Sequence, residues 1–190
     1  MLSPNHNLHE QENNHEILYL FEMLTPAKRT REYKKDETII SIGEISNKFV
    51  FVQKGILRTF QIDEKSEEIT SGFTFPGDFD IVAYSFFSRH SSREAIVALT
   101  DCSLDEYFYD DIIDILADDP KISKLVFSLL SLYIETLEIR LYEMRNKNAA
   151  QRYQTLKVNH PLHVAQIPDY LIASYLGISK EQMSRIKNNK

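Results

Sequence analysis

The sequence predicts an α+β fold: a β-roll of the double-stranded β-helix (jelly-roll) kind, then a long helix, then a C-terminal helix-turn-helix. Short segments rich in Val, Ile, Thr and Phe, separated by turn-forming residues, run from about residue 29 to 109. A stretch with helical apolar spacing and no Gly or Pro follows over residues 121–147. Two short helical segments joined by a glycine lie at the C-terminal end.

The composition sets the class of protein. A chain of 190 residues that is 43% hydrophobic and 26% charged is typical of an ordinary globular protein, and excludes a disordered or fibrous one. No apolar stretch is long enough to span a bilayer, and the polar N-terminus lacks a signal region. Cys102 is the single cysteine, which excludes an internal disulfide and a cysteine cage for a metal. We expect a cytoplasmic protein.

The elements follow in order along the chain. Residues 1–12 read as a polar tail, and residues 13–24 as a short amphipathic helix that stops at Thr25-Pro26. The strand-like segments that follow show no helical period between them, which favours a compact β-roll or barrel. We therefore expect three parts: a β-roll domain over residues 1–119, a long helix over 120–146 and a helical C-terminal domain over 147–190.

The long apolar stretch predicts one uninterrupted helix. Pro120 is well placed as its first residue, and the helix would extend about 40 Å. One stripe alternates spacings of three and four, as in a two-helix seam. The predicted seam residues are Phe127, Leu130, Ile134, Leu137, Leu141 and Met144. A second stripe consists of Ile122, Val126, Leu129 and Tyr133. We expect the first stripe to pair with a second subunit; the alternative is that both stripes are buried within one chain.

The charge is distributed unevenly. Residues 147–190 carry seven Lys or Arg against two acidic residues, although the whole chain has a net charge of −6. A basic segment on an acidic body is typical of a nucleic-acid-binding module joined to a domain that does not bind nucleic acid. The alternative is a solvated surface with a chance asymmetry.

The last residues contain the predicted helix-turn-helix. Pro168 lies near the start of its first helix, and Gly177 is suited to the left-handed turn that ends it. Ser179 and Gln182 have the spacing of a capping box at the start of the second helix. A helix of this kind fits the major groove of DNA. The predicted DNA-binding residues are Ser179, Lys180, Glu181, Gln182, Ser184, Arg185 and Lys187. The alternative is a solvated helical hairpin.

The segment ASYLGISKEQMSRI resembles the helix-turn-helix of the Crp–Fnr (catabolite-activator) regulators. The stretch IISIGEISNKFVFVQKGILRTF is similar to the sensor β-roll of that superfamily, which is a cyclic-nucleotide-binding-like domain. The segments QRYQTLK and IASYLGIS are similar to a compact subgroup common in Bacteroidetes. The resemblance implies a homodimeric transcription regulator whose partners are double-stranded DNA and, as a further candidate, RNA polymerase.

Two departures from the family pattern matter. The predicted ligand pocket is degenerate, and its residues are Gly77, Asp78, Phe79, Ser92 and Arg93. Ser92 takes the place of the family's arginine, and a step of one residue along a strand turns Arg93 to the other face. We expect no cofactor and no tight binding of cyclic AMP. The second departure is that Lys190 closely follows the recognition helix, so we expect no clear wing.

Other clusters point to no enzyme and no metal site. His6, His9 and His15 lie together in the polar tail, where histidines are easily gained. His90 is the single histidine of the predicted β-roll, too few for a cupin-type metal centre. Cys102 reads as a small core residue. The sequence therefore predicts a DNA-binding regulator; the alternative is a ligand-binding or protein-interaction module of the same fold that has lost DNA binding.

Overall fold

Within the described part of the chain, eight strands pair into two antiparallel sheets that enclose a shared core. The computed structural model describes residues 24–118 and 120–188. The strands are β1 (Lys28–Tyr33), β2 (Thr38–Ile40), β3 (Lys48–Lys54), β4 (Leu57–Ile62), β5 (Glu68–Thr74), β6 (Phe79–Asp80), β7 (Glu94–Ala98) and β8 (Cys102–Phe108). One sheet has the order β1-β8-β3-β6 and the other β2-β7-β4-β5. This is the predicted jelly-roll.

The core between the sheets is apolar because alternate residues of each strand face inward. Val50, Val52 and Leu104 come from one sheet, and Leu57 and Ile96 from the other; all five are fully buried. The tight turn between β3 and β4 requires a glycine at position 55. Gly55 has a φ of +95°, and a Cβ there would lie 2.5 Å from the Asp101 carbonyl oxygen.

One helix inside the β-roll was not predicted. Helix α1 (Ala83–Ser88) lies between β6 and β7 and ends at Arg89, whose φ is +57°. Its Phe86 packs in a second core with Phe49 and Tyr107. Six residues are less than two helical turns, so the apolar spacing is too short to distinguish this segment from a loop. The expectation of no helix among the strands was wrong here.

The remaining helices follow the β-roll. They are α2 (Tyr109–Asp118), α3 (Pro120–Asn146), α4 (Ala149–Asn159), α5 (Pro161–Val164), α6 (Asp169–Leu176) and α7 (Lys180–Asn188). The prediction that Pro120 begins a long helix is confirmed. The predicted tail and the predicted helix at 13–24 lie outside the described residues, apart from Leu24. Among the described helices, none is both long and apolar enough to cross a bilayer.

The C-terminal helices share a third core with the β-roll. Met183 of α7 and Ile172 of α6 are each 1% exposed, and both belong to a cluster that includes three residues of the β-roll. These three are Ile56, Phe75 and Leu99. The helix-turn-helix is therefore packed directly on the β-roll in this structure.

Candidate nucleic-acid interface and the adjoining cavity

The turn between α6 and α7 has the predicted geometry. Gly177 ends α6 with a φ of +67°, a left-handed conformation that favours glycine. Its N–H bonds to the Ser174 carbonyl at 3.1 Å, and the N–H of Ile178 bonds to the Ala173 carbonyl at 3.0 Å. These bonds pair carbonyls that would otherwise lack partners at the helix end.

A capping box begins helix α7. The N–H of Ser179 donates to Gln182 Oε1 at 2.9 Å, and the N–H of Gln182 donates back to Ser179 Oγ at 3.2 Å. Both bonds of the predicted box are therefore present. Buried Met183, with half-buried Ile178 and Ile186, holds the other side of the helix against α6. The sequence pattern thus predicts the start of this helix correctly.

The outward side of α7 is polar and open to solvent. All seven predicted DNA-binding residues are exposed: Ser179, Lys180, Glu181, Gln182, Ser184, Arg185 and Lys187. The Ser179 hydroxyl and the helix backbone lower the pKa of Glu181, and the positive charges of Lys180 and Arg185 lower it further. A carboxylate in the first turn of a helix is favoured by the helix dipole, so Glu181 is anionic at neutral pH.

Lys187 has a partner within the motif. Its Nζ lies 2.9 Å from Asp169 Oδ1, and this contact raises the pKa of Lys187. The ion pair joins the start of α6 to the end of α7. The sequence patterns did not indicate this pairing, because the two residues are 18 positions apart.

A guanidinium holds the long helix next to the motif. Arg152 on α4 donates from Nη1 to the Lys147 carbonyl at 2.7 Å and from Nη2 to the Leu176 carbonyl at 2.8 Å. Lys147 directly follows α3, and Leu176 is the last residue of α6. The charge of the sequence marks residues 147–190 as basic, but carbonyl acceptors give no sequence signal that singles out Arg152.

A cavity of about 520 Å³ lies between the β-roll, the long helix and the C-terminal helices. From the β-roll it is lined by Thr59, Ser71, Phe73, Thr74, Phe75, Asp78, Phe79, Asp80 and Glu94. The long helix contributes Tyr133, Leu137, Arg140 and Glu143, and the C-terminal helices contribute Arg152, His160 and Tyr175. The volume is in the range of small-molecule sites.

Three carboxylates line this cavity from the β-roll: Asp78, Asp80 and Glu94. Asp80 Oδ2 accepts the hydroxyl of Thr74 at 2.6 Å and that of Thr59 at 3.0 Å. Burial raises the pKa of Asp80, and the hydroxyl bonds oppose this increase. Glu94 Oε1 accepts the hydroxyl of Ser71 at 2.8 Å. Burial raises the pKa of the Tyr133 phenol across the cavity, and the charges of Glu94 and Asp80 raise it further.

The predicted pocket residues divide between the cavity and other places. Asp78 and Phe79 line the cavity. Gly77 is in the adjoining turn, where its N–H bonds to the Val52 carbonyl at 2.9 Å. Ser92 is buried, and its hydroxyl donates to the Glu94 carbonyl at 2.5 Å. Arg93 is exposed, with its guanidinium 5.4 Å from the centre of the Tyr84 ring.

The cavity continues to the junction with the C-terminal helices. The His160 ring stacks on Phe75 with 4.0 Å between ring centres, and burial lowers the pKa of His160. Phe73 contacts Tyr175 at 5.4 Å between ring centres. Arg140 donates to the Ser71 carbonyl, and its guanidinium lies 4.7 Å from the centre of the Tyr175 ring. Sequence periodicity could not place these pairs together, because they join separate elements.

The predicted seam of α3 is largely uncovered in the single chain. Phe127 is 69% exposed, Ile134 55% and Met144 60%; Leu137 and Leu141 are also exposed, and Leu130 is half-buried. Of the second stripe, Val126 and Tyr133 are half-buried. The side chains of Ile122 and Leu129 lie outside the described residues.

The remaining candidate residues are histidines and the single cysteine. Among residues 24–118 and 120–188, no three His, Cys, Asp or Glu side chains are grouped to hold a metal. His6, His9 and His15 lie outside the described residues, and His90 is exposed. Cys102 is 1% exposed, as expected of a core residue, and burial raises the pKa of its thiol.

Most of the chain is similar to known proteins. Residues 30–119 match the family model described as a cyclic nucleotide-binding domain. The transcriptional activator protein FnrA of Stutzerimonas stutzeri is 24% identical over 171 residues, covering 84% of this chain and 69% of that protein. The structure of FixK2 from Bradyrhizobium japonicum has a TM-score of 0.71 at 21% identity, covering 85% of this chain and 83% of that one. A regulator of the Crp/Fnr family from Eubacterium rectale has a TM-score of 0.69 at 18% identity, covering 90% and 81%.

Proposed function

We propose that this chain is a DNA-binding transcriptional regulator that acts in the cytoplasm. It is similar to the Crp–Fnr regulators, and its residues 30–119 match a cyclic nucleotide-binding domain. The observation that carries the proposal is the exposed polar side of α7, which is presented by a capped and tightly packed helix-turn-helix. The relatives reported above include a transcriptional activator and no enzyme. The chain therefore acts by binding rather than by catalysis.

Helix α7 enters the major groove in this proposal. Arg185 reads a guanine through two hydrogen bonds, as arginine commonly does, and Lys180 contacts bases or phosphates. Glu181, held anionic by its surroundings, accepts from a cytosine amino group or orients Arg185. Lys187 reaches a phosphate by exchanging its Asp169 partner for the DNA backbone, which provides affinity without sequence information.

In this proposal, the protein binds its DNA site as a homodimer. The uncovered seam of α3 supports this part of the proposal, since a row of exposed apolar side chains on a helix of 27 residues suits a second copy of the same helix. Two copies of α7 would then contact half-sites about 10 base pairs apart, on a pseudo-palindromic sequence.

The cavity is a degenerate cyclic-nucleotide pocket in this proposal. Its β-roll side presents Asp80 and Glu94, which would repel a cyclic phosphate. Arg93 is exposed and stacked near Tyr84 rather than among the residues that line the cavity. We expect the DNA-bound regulator to be active without cyclic AMP.

The test is a selection of bound fragments from a random DNA pool at about 50 mM salt, a concentration at which phosphate contacts are strong. Wild type should enrich a two-fold symmetric motif. Arg185→Ala should lose about 1–3 kcal/mol of discrimination at one position of each half-site. Lys157→Ala, which removes an exposed positive charge from α4, is the matched control and should retain the motif.

The second candidate function is a ligand-binding or protein-interaction module without DNA binding. The net charge of −6 favours it, because an acidic body opposes association with a polyanion. The two functions differ in salt dependence: a regulator should lose affinity steeply between about 50 and 200 mM salt. If the wild type enriches no sequence even at low salt, the second candidate replaces the first.

A further inference from the structure

Arg152 joins two helix ends that belong to different functional parts of the chain. Its guanidinium donates to the carbonyl of Lys147, where the long helix ends, and to the carbonyl of Leu176, where the first helix of the motif ends. The distances of 2.7 and 2.8 Å are those of charge-assisted hydrogen bonds. Carbonyls at a helix C-terminus carry partial negative charge and need donors from outside the helix.

The contact is fixed at both ends. Arg152 lies in the first turn of α4, which begins with a capping box between Asn148 and Gln151. Only Lys147 and Asn148 separate α3 from α4, so Nη1 is bound within the short connection between these two helices. The planar guanidinium holds two acceptors in a set geometry, which an ammonium group cannot do.

The position of Leu176 at the end of α6 determines the position of helix α7. Gly177 follows directly and forms the tight turn, and Met183 is buried against α6. The Lys187–Asp169 ion pair joins the far ends of the two helices. Since α6, the turn and α7 are bound together in this way, a rotation of the Leu176 end carries the exposed side of α7 with it.

We propose that Arg152 is a positioning residue, which sets the angle between the dimerisation helix and the recognition helix and thereby the half-site spacing that the dimer accepts. This inference rests on the proposed DNA-binding function. The apolar contacts of Tyr153 and Leu156 with the motif also hold α4 in place, but apolar packing has little directional preference. The hydrogen bonds of the Arg152 guanidinium are directional, and they therefore set the angle between the two helices.

The test compares DNA binding by full-length wild type, Arg152→Met, Arg152→Lys and Lys157→Met. The probes are the selected pseudo-palindrome, variants with one or two base pairs added or removed between half-sites, and one isolated half-site. Arg152→Met should bind the full site about 10-fold less tightly, because the two motifs no longer engage together in register. Its half-site affinity should stay within about 2-fold of wild type, and its preference for one spacing should weaken.

The other two variants separate geometry from charge. Lys157→Met removes a positive charge from the same helix and should leave the spacing preference unchanged. Arg152→Lys keeps the charge, and therefore the salt dependence, but should lose the spacing preference in part. Thermal unfolding of each variant identifies any that fails to fold. Equal losses at the full site and the half-site, or an unchanged spacing preference in both Arg152 variants, would overturn the proposal.

A measurement without DNA tests the inference if the wild type binds none. A spin label at Asn188→Cys, at the end of α7, reports the distance between the two motifs of a dimer. Cys102 is buried with a raised pKa and should react slowly with the label. Arg152→Met should broaden the distance distribution, and an unchanged narrow distribution would contradict the positioning role.

Discussion

His160 lies at the end of α4, where its ring stacks on Phe75 of the β-roll. The charged groups around it are Asp78, which favours the imidazolium, and His163, which disfavours it. Burial outweighs Asp78, so the pKa of His160 is below its ordinary value. The junction between the β-roll and the C-terminal helices is therefore more stable with a neutral ring.

The sign of the pH dependence follows from this direction. Between the folded pKa of His160 and its unfolded value of about 6.5, the unfolded chain binds more protons than the folded chain. Stability is thus fully present above the unfolded pKa and is lost as the pH falls below it. Burial raises the pKa of Asp78, so its contribution has the opposite sign and increases stability as the pH falls toward the ordinary aspartate pKa.

We predict that His160→Phe reduces this loss of stability. The phenyl ring keeps the stack on Phe75 but cannot take up a proton. The urea midpoint of the wild type should fall between about pH 7.5 and pH 5.5, a range that spans the ordinary histidine pKa, and that of the variant should fall less. His90→Gln, at an exposed site in the β-roll, should behave like wild type. Equal slopes for wild type and His160→Phe would refute the assignment.

The exposed apolar seam of the long helix α3 leads to a prediction about self-association. We predict that the wild type is a dimer in multi-angle light scattering and that Leu137→Asp is a monomer. A carboxylate in the middle of an apolar seam would be buried without a partner, at a cost of several kcal/mol. Tyr142→Asp places the same charge on another exposed face of α3 and should leave the dimer intact. A dimeric Leu137→Asp protein would disprove the seam.

The sequence predicted correctly those helix ends that are marked by one or two residues close together in the chain. Pro120, Gly177 and the Ser179–Gln182 capping box mark helix ends through their own backbone chemistry, and the structure confirms all three. Helix α1 was missed because six residues do not establish a period. The contacts of Arg152 and the stack of His160 on Phe75 could not be predicted, since each depends on how distant elements pack.

For the molecule as a whole, the central feature is a cavity bordered by all three parts of the chain. We predict that cyclic AMP does not stabilise the wild-type protein. A ligand at 100 times its Kd adds about 2.7 kcal/mol to stability, which raises the Tm of a domain of this size by about 5–10 °C. Thermal unfolding with millimolar cyclic AMP should show no such rise.

A matched variant tests the reason for this expectation. Asp80→Asn combined with Glu94→Gln removes two of the four carboxylates that line the cavity, leaving Asp78 and Glu143, and keeps the size of the side chains. If charge repulsion excludes the cyclic phosphate, the double variant should gain a Tm rise with cyclic AMP that the wild type lacks. A rise already present in the wild type would show that the pocket is intact.

The core that Ile56, Phe75 and Leu99 share with the C-terminal helices bears on how this protein can be dissected. Cutting the chain between the β-roll and the helices would expose apolar surface on both fragments. Burial of each side chain of this size contributes about 1.5–3 kcal/mol to the free energy of folding, and this would be lost. We therefore expect the β-roll and the C-terminal helices to fold as one unit, although we propose different roles for them. If a truncated C-terminal fragment fails to bind DNA, the reason would therefore be that it does not fold without the β-roll. The failure would not show that the full chain lacks DNA binding.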